Sequence, residues 1–197
     1  MVVGVLAAMQ KLDGEQINNI VSYELPLSRL ISEFDVGTDR YELNIMRVLR
    51  LNATSPDELR AAASTQQALT DGLRKDVDAI QSLVQRAIED PRYRTEDRVD
   101  LARIEGSFKY IVRNLDGFLA VGEQTMGRLT EGNRDEAKNA SIGFAKYAQA
   151  FGPDLSEIRH GLASLTERAT RSVLTRQQLN TYLSFALFIA ALSLIHI

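Results

Sequence analysis

The sequence predicts an all-α protein: an elongated up-down-up-down antiparallel four-helix bundle with truncated transmembrane helices at both termini. Three observations lead to this. Apolar residues recur at three-four spacing through most of the 197 residues, which is the stripe of a helix burying one face. Strong stop-start signals fall at Asn52–Glu58, Asp90–Thr95 and Leu129–Asn133, leaving four long segments. Leu, Ala and Arg are the commonest residues while proline is scarce and Trp absent, a usage that favours long helices.

The first segment runs from about Asp13 to Leu51, with its stripe at Ile17, Ile20, Leu27, Leu30, Ile31, Phe34, Tyr41, Ile45 and Val48. Pro26 lies inside it and removes one backbone hydrogen bond, so the helix should bend there. Gly37 is a second soft point. Ser55 is then placed to cap the second helix, with Pro56 in its first turn and Asp57 and Glu58 at its positive end. Leu59, Ala62, Gln66, Leu69, Leu73, Val77, Ile80, Val84 and Ala87 continue in heptad-like register to Asp90-Pro91.

Thr95, followed by Glu96 and Asp97, is the expected cap of the third helix, whose stripe reads Leu101, Ile104, Phe108, Ile111, Leu115, Phe118, Gly122, Met126 and Leu129. Gly132 suits the left-handed residue that ends a helix, and Asn133 is placed to cap the fourth. Ala137, Ala140, Phe144, Tyr147, Phe151, Leu155, Ile158, Leu162, Leu165 and Ala169 carry that helix onward. Its register passes through Gly152-Pro153, so a kink is expected there and not a new domain. At ~1.5 Å per residue the second and third helices measure about 50 to 55 Å. Short turns between long helices impose antiparallel neighbours and place both termini at one end.

Both termini are apolar. Residues 1–12 begin with the uncharged run Met1–Met9, too short for the ~20 residues of a spanning helix and lacking the basic start of a signal peptide. They read as the end of a first transmembrane helix. Residues 13–180 form the bundle, and no charge follows Arg176. Residues 181–191 read as the start of a second transmembrane helix. The last six, 192–197 (LSLIHI), resemble the translation of a transposon-end adaptor used in sequencing libraries and are set apart from fold reasoning.

Several function classes are excluded or disfavoured by composition. A net charge of −3 with no basic block points away from nucleic acid. The absence of cysteine excludes disulfide scaffolds, zinc fingers and thiol nucleophiles. Glu157 and His160 have the Glu-x-x-His spacing of di-iron bundles, but such sites need a second copy and two further glutamates. The only other histidine is His196, inside the adaptor-like end. No phosphate-cradling glycine loop and no nucleophile-base pairing is visible. No catalytic residue, metal or cofactor is therefore expected. The glycosylation sequons at Asn52 and Asn139 read as chance matches.

The apolar start, the Glu24-Leu25-Pro26-Leu27 segment, the Leu129–Ala137 hairpin and the apolar exit after Arg176 carry a family resemblance. The chain resembles, over nearly its whole length, the extracytoplasmic four-helix-bundle sensor domain of methyl-accepting chemotaxis proteins and related transmembrane receptors. The resemblance implies a homodimer in a bacterial inner membrane, with the bundle in the periplasm or extracellular space. It also implies a last helix leading to a cytoplasmic coupling module and an output domain. The partner would be a small-molecule ligand such as an amino or organic acid, or a periplasmic binding protein.

Arg40, Asn44 and Arg47 share one stripe of the first helix, and Arg50 lies three residues further on. In the aspartate and serine chemoreceptors, arginines in this region grip an amino-acid carboxylate, a task suited to the planar guanidinium fork. The spacing here does not reproduce theirs residue for residue, so specificity is not carried over. Phe144 and Tyr147 would add apolar contact. A solvated face pairing Arg47 with Glu42 or Asp39 is the plainer reading of the arginine stripe. For the whole chain, the competing reading is a membrane-anchored structural or adhesive bundle that senses nothing.

Overall fold

The computed structural model describes residues 14, 16–50 and 55–195, with backbone alone at 148 and 187–195. All its regular elements are helical. A π-helical turn, Ile20–Glu24, leads into α1 (Leu25–Arg50). Then come α2 (Pro56–Glu89), α3 (Thr95–Thr130), the short α4 (Arg134–Ser141) and the long α5 (Gly143–Ile195). The four long helices are 26, 34, 36 and 53 residues in length. Residues 1–12, with the expected first apolar segment, and the turn residues Asn52 and Thr54 lie outside the described residues. So does the end of the adaptor-like tail. Among the described residues, no helix is long and apolar enough to cross a membrane.

The connections form largely by local chemistry. Ser55 accepts from the Glu58 backbone N–H at 3.2 Å, and the Glu58 carboxylate accepts from the Ser55 N–H at 2.8 Å. This reciprocal capping box starts α2 at Pro56. At the end of α3, Asn133 N–H bonds the Arg128 carbonyl and Gly132 N–H bonds that of Leu129. Gly132 has φ +81°, completing the Schellman arrangement that only a residue without Cβ adopts cheaply.

One expected cap is corrected: Arg94, not Thr95, is the N-cap of α3, with Thr95 already in the helix. Asn133 is the N-cap residue of α4, as expected, but its side chain makes no cap bond; its backbone N–H closes the Schellman bond and its carbonyl accepts from the Ala137 N–H.

Two departures in the helices matter more. The buried positions of the first helix are Asn19, Glu24, Leu27, Ile31, Phe34, Thr38, Tyr41, Ile45 and Val48. The step of five from Asn19 to Glu24 is the π turn, where the Leu25 N–H reaches back to the Ile20 carbonyl. One extra residue per turn rotates the preceding face, so Ile17 is exposed and Asn19 points inward.

The fourth segment is broken at Ser141–Gly143, while α5 runs on through Gly152-Pro153 as one helix, as its register indicated. Gly152 and Pro153 are exposed, so the carbonyl that loses its partner faces water. At the actual break, the Ser141 hydroxyl donates to the Lys138 carbonyl and Ile142 N–H bonds Asn139. Those are three-residue bonds that tighten the turn. Gly143 presses close to α3 there: a Cβ would meet Val121 Cγ2 at 2.9 Å.

A single core joins the elements. α1 packs on α2 and α5, α2 on α3, and α3 on both α4 and α5. Phe118 is its hub, with ring centroids 5.1 Å from Tyr41, 5.2 Å from Phe144 and 5.5 Å from Phe151. Further along, Phe34 meets Phe108 edge-on at 5.8 Å, the geometry aromatic quadrupoles prefer.

Candidate functional site

The break between α4 and α5 opens a groove of about 740 Å³ against the end of α1. Met46 and Leu49 of α1, Ile142 of the break and Phe144 of α5 supply its apolar surface. Ile142 is 69% exposed, being turned outward by the tight turn, while Phe144 is 1% exposed at the groove floor. Arg50, Arg134 and Lys138 bring positive charge, with Glu42 and Asp135 opposing it. Burial, then neighbouring Asp39, pushes the Glu42 carboxyl above its ordinary value. Arg134 donates from Nη2 to the carbonyls of Val48 and Leu49, at 3.1 and 2.9 Å. It thereby closes the last turn of α1, where carbonyls lack helical partners, and fixes the edge of the groove.

The residues singled out from sequence fall in separate places. Arg50 and Phe144 line this groove together. Asn44 and Arg47 turn toward α2, where they line a cavity of about 180 Å³ with Val48, Glu58, Ala61, Ala62 and Thr65. There the Asn44 amide donates to the Ala62 carbonyl at 3.1 Å and to the Gln66 side-chain oxygen at 2.8 Å. Arg40 lies on a third surface, beside Arg29, Glu33, Gly37 and Asp76. Tyr147 packs against Phe118 and Phe151, and its hydroxyl sits where a Cβ of Gly117 would stand, 2.2 Å away. Glu157 and His160 are exposed, with Ser107 donating to Glu157 at 3.4 Å.

Among the described residues no ion pair joins Arg47 to Glu42 or Asp39, and Arg40 and Arg50 have none either. Most other arginines at the surface are paired: Arg29 with Glu33, Arg94 with Asp97, Arg103 with Asp100, Arg159 with Asp35 and Arg171 with Glu167. Arg47 and Arg50 at the end of α1 are among the guanidinium groups without an ion pair among the described residues, as are Arg74, Arg86 and Arg113 elsewhere.

Sequence reading missed Met46, Leu49, Arg134, Lys138 and Ile142. The spacing of four between Arg134 and Lys138 marks them as one helical face. Nothing local brings that face to Arg50, because the turn at Ser141–Gly143 creates the meeting. No protein-family model and no curated protein matches the sequence.

Proposed function

We propose that this chain is the ligand-sensing domain of a bacterial transmembrane signal-transduction receptor, related in design to chemoreceptor sensor domains and without catalytic activity of its own. In this reading the four long helices run up-down-up-down, antiparallel, in a bundle lying outside the inner membrane. Two sets of ties support that arrangement. Near one end Glu24 meets Tyr93 and Thr166. Toward the other, the Val48 carbonyl meets Arg134. Chain order along each neighbouring helix is then reversed.

The observation that carries the reading is the groove beside Arg50: concave, partly apolar, rimmed with basic groups, and formed by the first and last helices together. Its ligand is an amino or organic acid, whose carboxylate would meet Arg50 and whose body would lie on Met46, Leu49 and Ile142. From the groove, α5 runs as one helix of 53 residues, about 80 Å. A shift of α5 against α1 would travel along it to a membrane segment and a cytoplasmic output module. A second copy would pack along the exposed positions Val21, Leu25, Val36 and Leu43 of the first helix.

Thermal-shift titration of the full chain with a panel of amino and organic acids tests this. At least one acid should raise Tm, and Arg50→Ala should abolish the rise while Arg171→Ala preserves it. A panel without response, or a response indifferent to Arg50, removes the groove and leaves the structural bundle as the better account.

A further inference from the structure

We propose that Glu24 is a proton-linked latch: gain or loss of its proton changes how α5 is held against the first helix, at the end of the bundle remote from the groove. This goes beyond the sensing role and does not depend on it.

Glu24 is 2% exposed and sits in the π turn. The Thr166 hydroxyl of α5 donates to its Oε2 at 2.8 Å, and the Tyr93 hydroxyl approaches Oε1 at 3.4 Å. That is one good donor and one long one. A buried carboxylate needs more than this, or a cation, to remain ionised cheaply.

The charged groups around it are spoken for. Arg168 of α5 reaches Asp97 at 3.5 Å and also pairs with Asp100, both on α3. Asp90, the C-cap that α2 brings to this end, is bound by Arg92 and by the Tyr23 hydroxyl. Burial, as the largest cause, holds the Glu24 carboxyl above the ordinary carboxylate value; Asp97 adds to this, while Thr166, Tyr93 and Arg168 oppose it.

Two features turn this environment into a device. The backbone carrying Glu24 is soft. Pro26 has no N–H for the Ser22 carbonyl, and the π turn replaces tighter α-helical bonds. Arg168 also lies two positions after Thr166 on the same helix. When protonated, Glu24 rests between Thr166 and Tyr93 and leaves Arg168 with its aspartates. When ionised, it calls for Arg168, which can approach only if α5 turns and loosens its hold on Asp97 and Asp100.

The sign follows from the raised value. Stability from this group is full below the unfolded glutamate pKa, about 4.3, and declines as pH rises through the folded one. The chain lacks cysteine, so spin labels at Ser22→Cys and Thr170→Cys, both exposed sites, can report the separation of the two helices. Between about pH 4 and about pH 8 the distance distribution should shift by about 1–2 Å in the parent chain and stay fixed in Glu24→Gln. Glu24→Gln should also exceed the parent in Tm at the alkaline end and match it at the acid end.

Should that variant fail to fold, carbon-13 titration of glutamate carboxyls in the parent chain still decides, with Glu24 assigned by Glu24→Asp. A midpoint above about 4.3 supports the latch. A midpoint at or below it overturns the proposal, as does a label distance indifferent to pH.

Discussion

Two regions where the helices meet are tied by opposite kinds of physics. Around Phe118 the helices meet through rings and close backbone approach: Tyr41, Phe144, Phe151 and Tyr147 surround one phenyl group, and Gly117, Gly122 and Gly143 make room for neighbours. Around Glu24 they meet through hydroxyls, carboxylates and guanidinium groups, namely Tyr23, Asp90, Arg92, Tyr93, Thr166 and Arg168. Packing between rings depends little on protons and tolerates little displacement. A polar junction holds only while each proton and charge is in place. The aromatic region should therefore behave as a fixed clamp beside the groove, and the polar end as the part that yields.

The largest expected effect tests the clamp. Phe118 is 1% exposed and touches four other rings. Phe118→Ala should cost about 3–5 kcal/mol, read by denaturant unfolding, with the loss unchanged by pH. A loss below about 1 kcal/mol would mean that the aromatic region repacks freely and is no clamp.

Next is Gly122→Ala. A Cβ there would lie 2.1 Å from the Tyr41 hydroxyl, which donates to the Leu119 carbonyl at 2.8 Å deep in the core. The methyl must displace the ring or part α1 from α3, at about 1–3 kcal/mol. Gly127→Ala is the control, since a Cβ there meets nothing within 4 Å.

The smallest effect tests the polar end. Asp90 accepts from the Tyr23 hydroxyl at 2.8 Å and from the Arg92 N–H and Nε, each at 2.9 Å, while Arg92 Nη2 also pairs with it. Arg92 above all holds the Asp90 carboxyl well below the usual carboxylate range, and Tyr23 helps. A lowered folded pKa stabilises above the unfolded value, about 3.9, and the contribution is lost as pH falls through the folded one. Asp90→Asn should thus cost about 1–2 kcal/mol at neutral pH, and the difference should shrink under acid. Equal losses at both pH values would place the role of Asp90 in shape and not in charge.

The helices were legible because their signals are local. The Ser55–Glu58 box, Gly132 and the three-four stripes act within a turn or two, and the structure places α2, α3 and the α3–α4 turn where they indicate. Stripe reading failed around Pro26 because periodicity presumes a constant turn, and a π turn adds a residue. It gave no sign of the break at Ser141–Gly143, and marked only Gly152-Pro153, where the helix runs on. Proline announces itself in sequence, but on an exposed helical face it costs one hydrogen bond that water can replace.

The candidate site was legible only in part. Arg50 and Phe144 were marked in sequence and do meet at the groove, whereas Arg40 and Arg47 share their helical stripe but face other surfaces. Spacing defines a face of one helix and says nothing of which neighbour lies opposite.

The sequence by itself determined that this chain is helical, where most of its helices start and stop, and, outside the π turn, which stripe they bury. All three follow from backbone hydrogen bonding and solvent exposure within a few residues. Only the tertiary structure decided that Ile142 turns outward to open a groove beside Arg50, and that Glu24 ends up buried between Tyr93 and Thr166. Those are contacts between residues up to 142 positions apart, chosen by the packing of whole helices and invisible to any local rule.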